Sequence, residues 1–166
     1  ACDARKWLEN GWCDYMAPQL YWSIKGPQSF PLLLDWWRQQ GSRPVWPGIA
    51  TARILSKEDP GRKASEILQQ IELSRRSMPQ QAGHIHWSVK ALMENRDGFN
   101  PSLKERYHSP ALPPAMPWLS RSLPMTPQVS ASYDGKNISL RWRTGDTRTH
   151  KIAIQVRRGS VWQTLR

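Results

Sequence analysis

Helical and extended hydrophobic periods take turns along the N-terminal part of the chain. From Asp3 to Gly11 the apolar residues Ala4, Trp7 and Leu8 share one helical face, with Asp3 placed to cap the run and Gly11 to stop it. Trp12 to Trp22 follows as a strand, in which Pro18 predicts a bulge or distortion because proline cannot donate to a ladder. After the loop "SIKGPQS" a second helix runs from about Pro31 to Gln40, opened by proline and ended by Gly41. Leu32, Leu33, Trp36 and Trp37 form its sticky side. A second strand, "RPVWPGIATA" from Arg43, leads into the polar loop "LSKEDPGR", where Asp59-Pro60-Gly61 carries turn chemistry. The clearest helix spans about Lys63 to Met78, with Ala64, Ile67, Leu68, Ile71 and Met78 near one stripe. The link from Pro79 to Gly83 then reaches a third strand, "HIHWSV", and a short helix, "KALMEN".

Three strands alternating with helices predict βα units on a parallel sheet. The expected fold class is therefore α/β, with about three of the eight units of a (β/α)8 barrel over residues 1–98. Residues 99–127 are Pro-rich and read as a strap or linker, with one helical stretch around Ser102 to Tyr107. Within it "PPAMPWL" is a rigid, extended segment anchored by Trp118. From Gln128 the pattern turns antiparallel. "QVSASY" and "NISLRW" flank Asp-Gly-Lys, a good hairpin turn, and "HKIAIQVRR" and "SVWQTLR" flank Gly159. A fibronectin type III sandwich needs seven strands. Residues 128–166 supply four, so they are expected to form half of such a sandwich or a small sheet packed on the preceding part.

Charge brings nucleic acid into consideration, since the chain of 166 residues carries +11 with a pI near 10.3. The basic residues are scattered, however, with no block of like charge, zinc-finger spacing, RNA-recognition signature or P-loop, and a dispersed basic surface is the simpler reading. Cys2 and Cys13 fit no metal spacing and no disulfide framework, and read as two separate thiols. No cofactor is implied. No signal peptide is visible in this stretch, and no apolar run in it approaches the roughly 18 residues of a membrane span. The chain opens Ala-Cys-Asp and closes on Trp-Gln-Thr-Leu-Arg, which suggests a fragment of a longer protein. Ten tryptophans are far more than a core of this size requires, and those at strand ends suit stacking on sugar rings or bases.

The segments "DARKWLENGWCDYMAPQLYWSI" and "YHSPALPPAMPWL" resemble the C-terminal region of the bacterial glycosyl-hydrolase-like family numbered ten, over roughly Asp3 to Leu119. That resemblance implies a barrel followed by a fibronectin-like tail, with the strands here as the last three of the barrel. It further implies a carbohydrate-active parent enzyme, exported or lipid-anchored, and hence extracytoplasmic. Glycoside hydrolysis normally takes two carboxyl groups roughly 5–10 Å apart. Asp14 lies at the wrong end of its strand, Asp35 sits in a helix, and Glu94 and Asp97 follow the last helix. Glu58 and Asp59 occupy a βα loop that looks like a solvated turn. The chain is thus expected to hold no catalytic pair, the acids lying upstream.

Substrate contact is expected from Gln19, Tyr21 and Trp22 at the exit of the first strand, although period-two alternation forbids both aromatics from pointing inward unless the strand ends between them. Gly48, with Ala50, leaves room for a sugar ring or simply packs a barrel layer. His86 and Trp87, with Ser88, contact substrate or sit satisfied in the core. His84 and His86 share a face compatible with a metal, but no third ligand is evident, and no metal site is expected. The partner implied is a poly- or oligosaccharide. A non-catalytic carbohydrate-binding or cell-envelope interaction module is the alternative. Unpaired sheet edges predict self-association or rearrangement.

Overall fold

A computed structural model of the chain describes residues 2–147, 149 and 151–165. They fall into two compact units, Ala1–His108 with Pro113–Ala115, and Ser109–Leu112 with Met116–Arg166.

The first unit opens with helix α1 (Ala4–Glu9), whose Lys6 N–H donates to Asp3 Oδ1 at 3.0 Å, the cap the sequence foretold. Helix α2 (Phe30–Arg38) takes Pro31 in its first turn, where no intrahelical donor is lost. Its buried face is only half the expected one. Phe30 and Leu34 are buried, with Leu33 and Trp37 packed against the core, whereas Leu32 is 62% exposed and Trp36 also faces solvent. Helix α3 (Ala64–Ser77) buries Ala64, Ile67 and Ile71 as its periodicity requires, and adds Gln70 and Ser74 to the buried side. A carboxylate distant in sequence caps it, since Ala64 N–H donates to Asp97 Oδ2 at 2.8 Å. Helices α4 (Lys90–Met93) and α5 (Phe99–Arg106) complete the unit, the latter burying Phe99 and Leu103. The core gathers Leu8, Leu20, Phe30, Leu34, Val45, Ile49, Ile67, Ile71 and Phe99.

The partial (β/α)8 barrel does not form, and the three expected strands are cut short, the second and third to two residues each and the first to isolated bridges. Among the described residues of this unit the regular sheet is one parallel pair, β1 (Gly48–Ile49) beside β2 (Ile85–His86), in register Gly48–Ile85 and Ile49–His86. Two isolated parallel bridges, Met16–Val45 and Gln19–Gly48, mark where the first strand was expected. Proline explains the break. Met16 N–H donates to the Pro44 carbonyl at 2.9 Å and Leu20 N–H to the Gly48 carbonyl at 3.0 Å. Continuing that register would require residue 18 to donate to the Trp46 carbonyl, and residue 18 is Pro18. The ladder therefore lacks that one bond, although Gly48 N–H still donates to the Pro18 carbonyl at 2.8 Å, and the pairing survives only as isolated bridges; no (β/α)8 unit is evident.

The second unit is β-rich. Strands β3 (Gln128–Tyr133) and β4 (Ile138–Arg143) pair antiparallel from Gln128–Arg143 to Tyr133–Ile138. At the turn Asp134 Oδ1 accepts from the N–H groups of Lys136 and Asn137 at 2.9 and 2.7 Å, and Gly135 supplies the φ of 92°. Val129 faces Trp142, Ala131 faces Leu140 and Tyr133 faces Ile138, an apolar face that stands exposed. Strands β5 (Gln155–Arg158) and β6 (Val161–Thr164) form the second hairpin, shorter than its apolar pattern suggested. The outer ends of that expected hairpin, His150 and Arg166, lie outside the described residues.

Truncating Ile67 to alanine should cost about 2–5 kcal/mol, because it opens a cavity in the core. Leu32→Ala should stay within about 0.5 kcal/mol. Urea denaturation of both variants checks that Ile67 of α3 is in the core and that Leu32 is on the exposed side of α2; equal losses would refute it.

Candidate functional site

A cleft of about 300 Å³ opens in the first unit, lined by Tyr21, Ala50, Ala52, Arg53, Ser56, Glu58 and Trp87. Each residue comes from the end of a short extended segment or the loop after it. Tyr21 lies just beyond the Gln19–Gly48 bridge, Ala50 just beyond β1, and Trp87 just beyond β2. The short helical turn Thr51–Arg53 and the polar loop after it deliver Ala52, Arg53, Ser56 and Glu58. A larger concavity, about 600 Å³, follows the β3–β4 hairpin along Val129, Leu140, Arg141 and Trp142, but its lining holds no carboxylate.

The segment Tyr21–Ile24 has no ladder partners, and side chains replace them. Arg53 Nη1 donates to the Tyr21 carbonyl at 3.1 Å, Gln70 Nε2 to the Trp22 carbonyl at 3.0 Å, and Ile24 N–H donates to Glu66 Oε1 at 3.0 Å. Arg62, only 4% exposed, ties the same region together. Its guanidinium pairs with Asp59 Oδ2 at 2.8 Å and Glu66 Oε1 at 3.0 Å and lies 3.5 Å from the Tyr21 carbonyl. Across the cleft, Trp87 N–H donates to the Ile49 carbonyl at 2.9 Å and Ala52 N–H to the Trp87 carbonyl at 2.8 Å. The Trp87 backbone is thus pinned while its side chain stays 62% exposed.

The polar groups carry definite protonation states. Burial raises the Tyr21 phenol above its ordinary value and nearby Arg53 offsets part of that, so the hydroxyl remains a donor. Glu58 is held below the usual carboxylate range, chiefly by its own backbone N–H and the Ser56 hydroxyl, with smaller help from Arg96 and Arg53. It is an ionised acceptor at neutral pH. The Arg53 guanidinium stands 5.9 Å from the centre of the Tyr21 ring. The cleft therefore presents an exposed indole, a phenol, a guanidinium, a hydroxyl and a carboxylate over a floor of alanines.

Of the residues expected at the site, Tyr21 and Trp87 line this cleft. Gly48 lies behind Tyr21, and a Cβ there would sit in ordinary contact with Tyr21 Cε1 at 3.7 Å and the Pro18 carbonyl at 3.4 Å, so the position packs closely without requiring glycine. Gln19 is exposed but outside the lining, and Trp22 is exposed elsewhere, in keeping with the alternation that separates it from Tyr21. His86 sits outside the lining too. Its Nδ1 lies 2.7 Å from Thr51 Oγ1 and its Nε2 3.1 Å from the Tyr107 hydroxyl, which also meets His84 Nε2. Burial, then His86 and Arg75, push His84 down to about 3, and burial lowers His86 as well. Among the described residues no group of three or more His, Cys, Asp or Glu is arranged to hold a metal ion. Arg53, Ser56 and Tyr107 had no signal in the sequence, since nothing local foretells a contact between residues tens of positions apart.

No protein-family model matches the chain, and no solved structure matches it. The chain is 37% identical over 144 residues to Glycosyl hydrolase YngK of Bacillus subtilis (strain 168), an alignment covering 83% of this chain and 28% of that protein. The chain thus spans little more than a quarter of the length of this relative.

His84 titrates low in the folded chain and at an ordinary value when unfolded, so between pH 6.5 and about 3 the unfolded state binds the extra proton. Its contribution to stability is complete above pH 6.5 and is lost as pH falls toward 3. His84→Gln should flatten the dependence of stability on pH in that window. Matched slopes in urea titrations of the two proteins would contradict it.

Proposed function

We propose that this chain supplies the glycan-holding cleft of a glycoside hydrolase. The observation that carries the reading is the cleft itself, where the exposed indole of Trp87 stands with Tyr21, Arg53 and Glu58 over Ala50 and Ala52. A sugar ring offers an apolar C–H face and a rim of hydroxyls. An aromatic platform ringed by donors and an ionised acceptor complements both. The similarity to a protein named glycosyl hydrolase supports the same reading. So does the resemblance to family ten, which also favours an extracytoplasmic place for the protein and a fibronectin-like tail beginning near Gln128. Among the described residues no helix is long and apolar enough to cross a membrane.

Hydrolysis asks for two carboxyl groups, and this cleft contains one, Glu58. In the proposed role Glu58 accepts a sugar hydroxyl, and the catalytic pair comes from outside this chain. The lone carboxylate also favours the second reading, a carbohydrate-binding module without catalysis. The basic charge does not define a nucleic-acid surface at the cleft. Arg53, Arg62 and Arg96 are turned onto internal carbonyls and carboxylates.

Calorimetric titration with cellohexaose, chitohexaose and xylohexaose tests the proposal. One of them should bind, and Trp87→Ala should weaken it about tenfold, or ~1.4 kcal/mol, with Glu58→Gln smaller in effect. Binding that is indifferent to Trp87→Ala, or no binding to any of the three, would overturn it. A reducing-end assay separates the two readings, because a catalytic module releases new ends and a binding module leaves the oligosaccharide intact. Self-association is proposed as well, through the free edges of the two hairpins. Sedimentation should then show a concentration-dependent rise in mass, and a monomer at all concentrations would refute it.

A further inference from the structure

Thr51, His86, Tyr107 and His84 form a single hydrogen-bonded row behind the cleft. A phenol carries one proton and can accept as well. For the row to run through the phenol's own proton, Tyr107 donates to one imidazole and accepts from the other. If His86 Nε2–H donates to the phenol, the phenol donates to His84 Nε2 and Thr51 donates to His86 Nδ1. If His84 Nε2–H donates to the phenol, each bond reverses, and His86 Nδ1–H donates to Thr51. In both arrangements the two histidines hold opposite tautomers, and every bond of the row has a donor and an acceptor.

The row touches the cleft at two points. Thr51 stands between Ala50 and Ala52, and His86 directly precedes Trp87; all three neighbours line the cleft. Along this extended segment Ile85 and Trp87 are exposed, while His86 turns to the inner side. Behind it, Phe99 sets its ring edge-on to His86 at 5.9 Å, and the Arg75 guanidinium covers the Tyr107 ring at 5.6 Å. The backbone bonds of Trp87 to Ile49 and Ala52 fix where its Cα sits. With Ile85 N–H donating to the Pro47 carbonyl at 3.0 Å they also fix the course of the backbone, which leaves the set of the side chains on either side of it to the row that holds His86.

We propose that His86 and Tyr107 are positioning residues. Through Thr51 they lock the two cleft-lining segments together from behind, and so orient the Trp87 ring without touching a ligand. Only the use of Trp87 once placed rests on the glycan reading above.

Fluorine NMR of the full chain labelled with fluorotryptophan tests this directly. The Trp87 resonance is assigned by its loss in Trp87→Phe. Tyr107→Phe should shift or broaden that resonance and leave those of Trp142 and Trp162, in the other unit, in place. Thr51→Val, nearly isosteric, should do the same and serves if Tyr107→Phe does not fold. Nitrogen NMR of the unsubstituted chain should show one of His84 and His86 protonated on Nε2 and the other on Nδ1. A Trp87 resonance unmoved in a folded variant, or two histidines in the same tautomer, overturns the proposal. Where the oligosaccharide binds, Tyr107→Phe should weaken it several-fold. A Trp87 shift in a chain that binds none of the three oligosaccharides upholds the positioning role and overturns the glycan reading instead.

Discussion

The buried guanidinium of Arg62 is the interaction on which the cleft depends. Between β-type bridges and helices, the segment Tyr21–Ile24 runs without a ladder, and its carbonyls and N–H groups would be costly to leave unpaired. Arg62, Glu66 and Gln70, carried on α3 or just before it, supply those partners, and Arg53 adds one from the facing turn. Arg62 itself is tolerable inside the protein because Asp59 and Glu66 neutralise it from both sides. The amphipathic helix thus does two tasks with two faces. Ile67 and Ile71 fasten it to the core, while its polar residues hold the irregular wall that presents Tyr21.

Irregularity here has a chemical origin. A proline stands where the ladder between the first two extended segments needs a donor, so that pairing survives as two isolated bridges. What a wider sheet would have supplied through backbone bonds is supplied by side chains. The same substitution operates at the N-terminus of α3, where Asp97 from a distant turn caps the helix. It operates again behind the cleft, where Thr51, His86 and Tyr107 join segments that share only a few backbone bonds. A fold fastened by such long-range polar contacts can place unlike groups around a small space, as the cleft requires.

The apolar stripe of α3, the cap of α1 and the β3–β4 hairpin were legible in the sequence, because each rests on local chemistry: helical spacing, an Asp at the first turn, and Asp-Gly at a tight turn. The place of Tyr21 and Trp87 in the cleft lining was legible for a related reason, both being aromatics where an extended segment gives way to a loop. The buried side of α2 was not. Leu32, Leu33, Trp36 and Trp37 are all apolar, and only the position of the core decided that Phe30 and Leu34 face it. The barrel was misread because alternating helices and strands imply a sheet only if the strands can pair along their length.

By itself, then, the sequence determined the helices, the turns, the aromatic richness and the proline breaks, all of which are settled within a few residues of chain. Tertiary structure alone decided which groups meet at the cleft. Arg53 reaches Tyr21 across 32 residues, Glu66 reaches Ile24 across 42, and Gln70 reaches Trp22 across 48. Such contacts form because buried backbone groups must find partners once the core has closed, and which partner is nearest is a property of the packed molecule, not of any stretch of it.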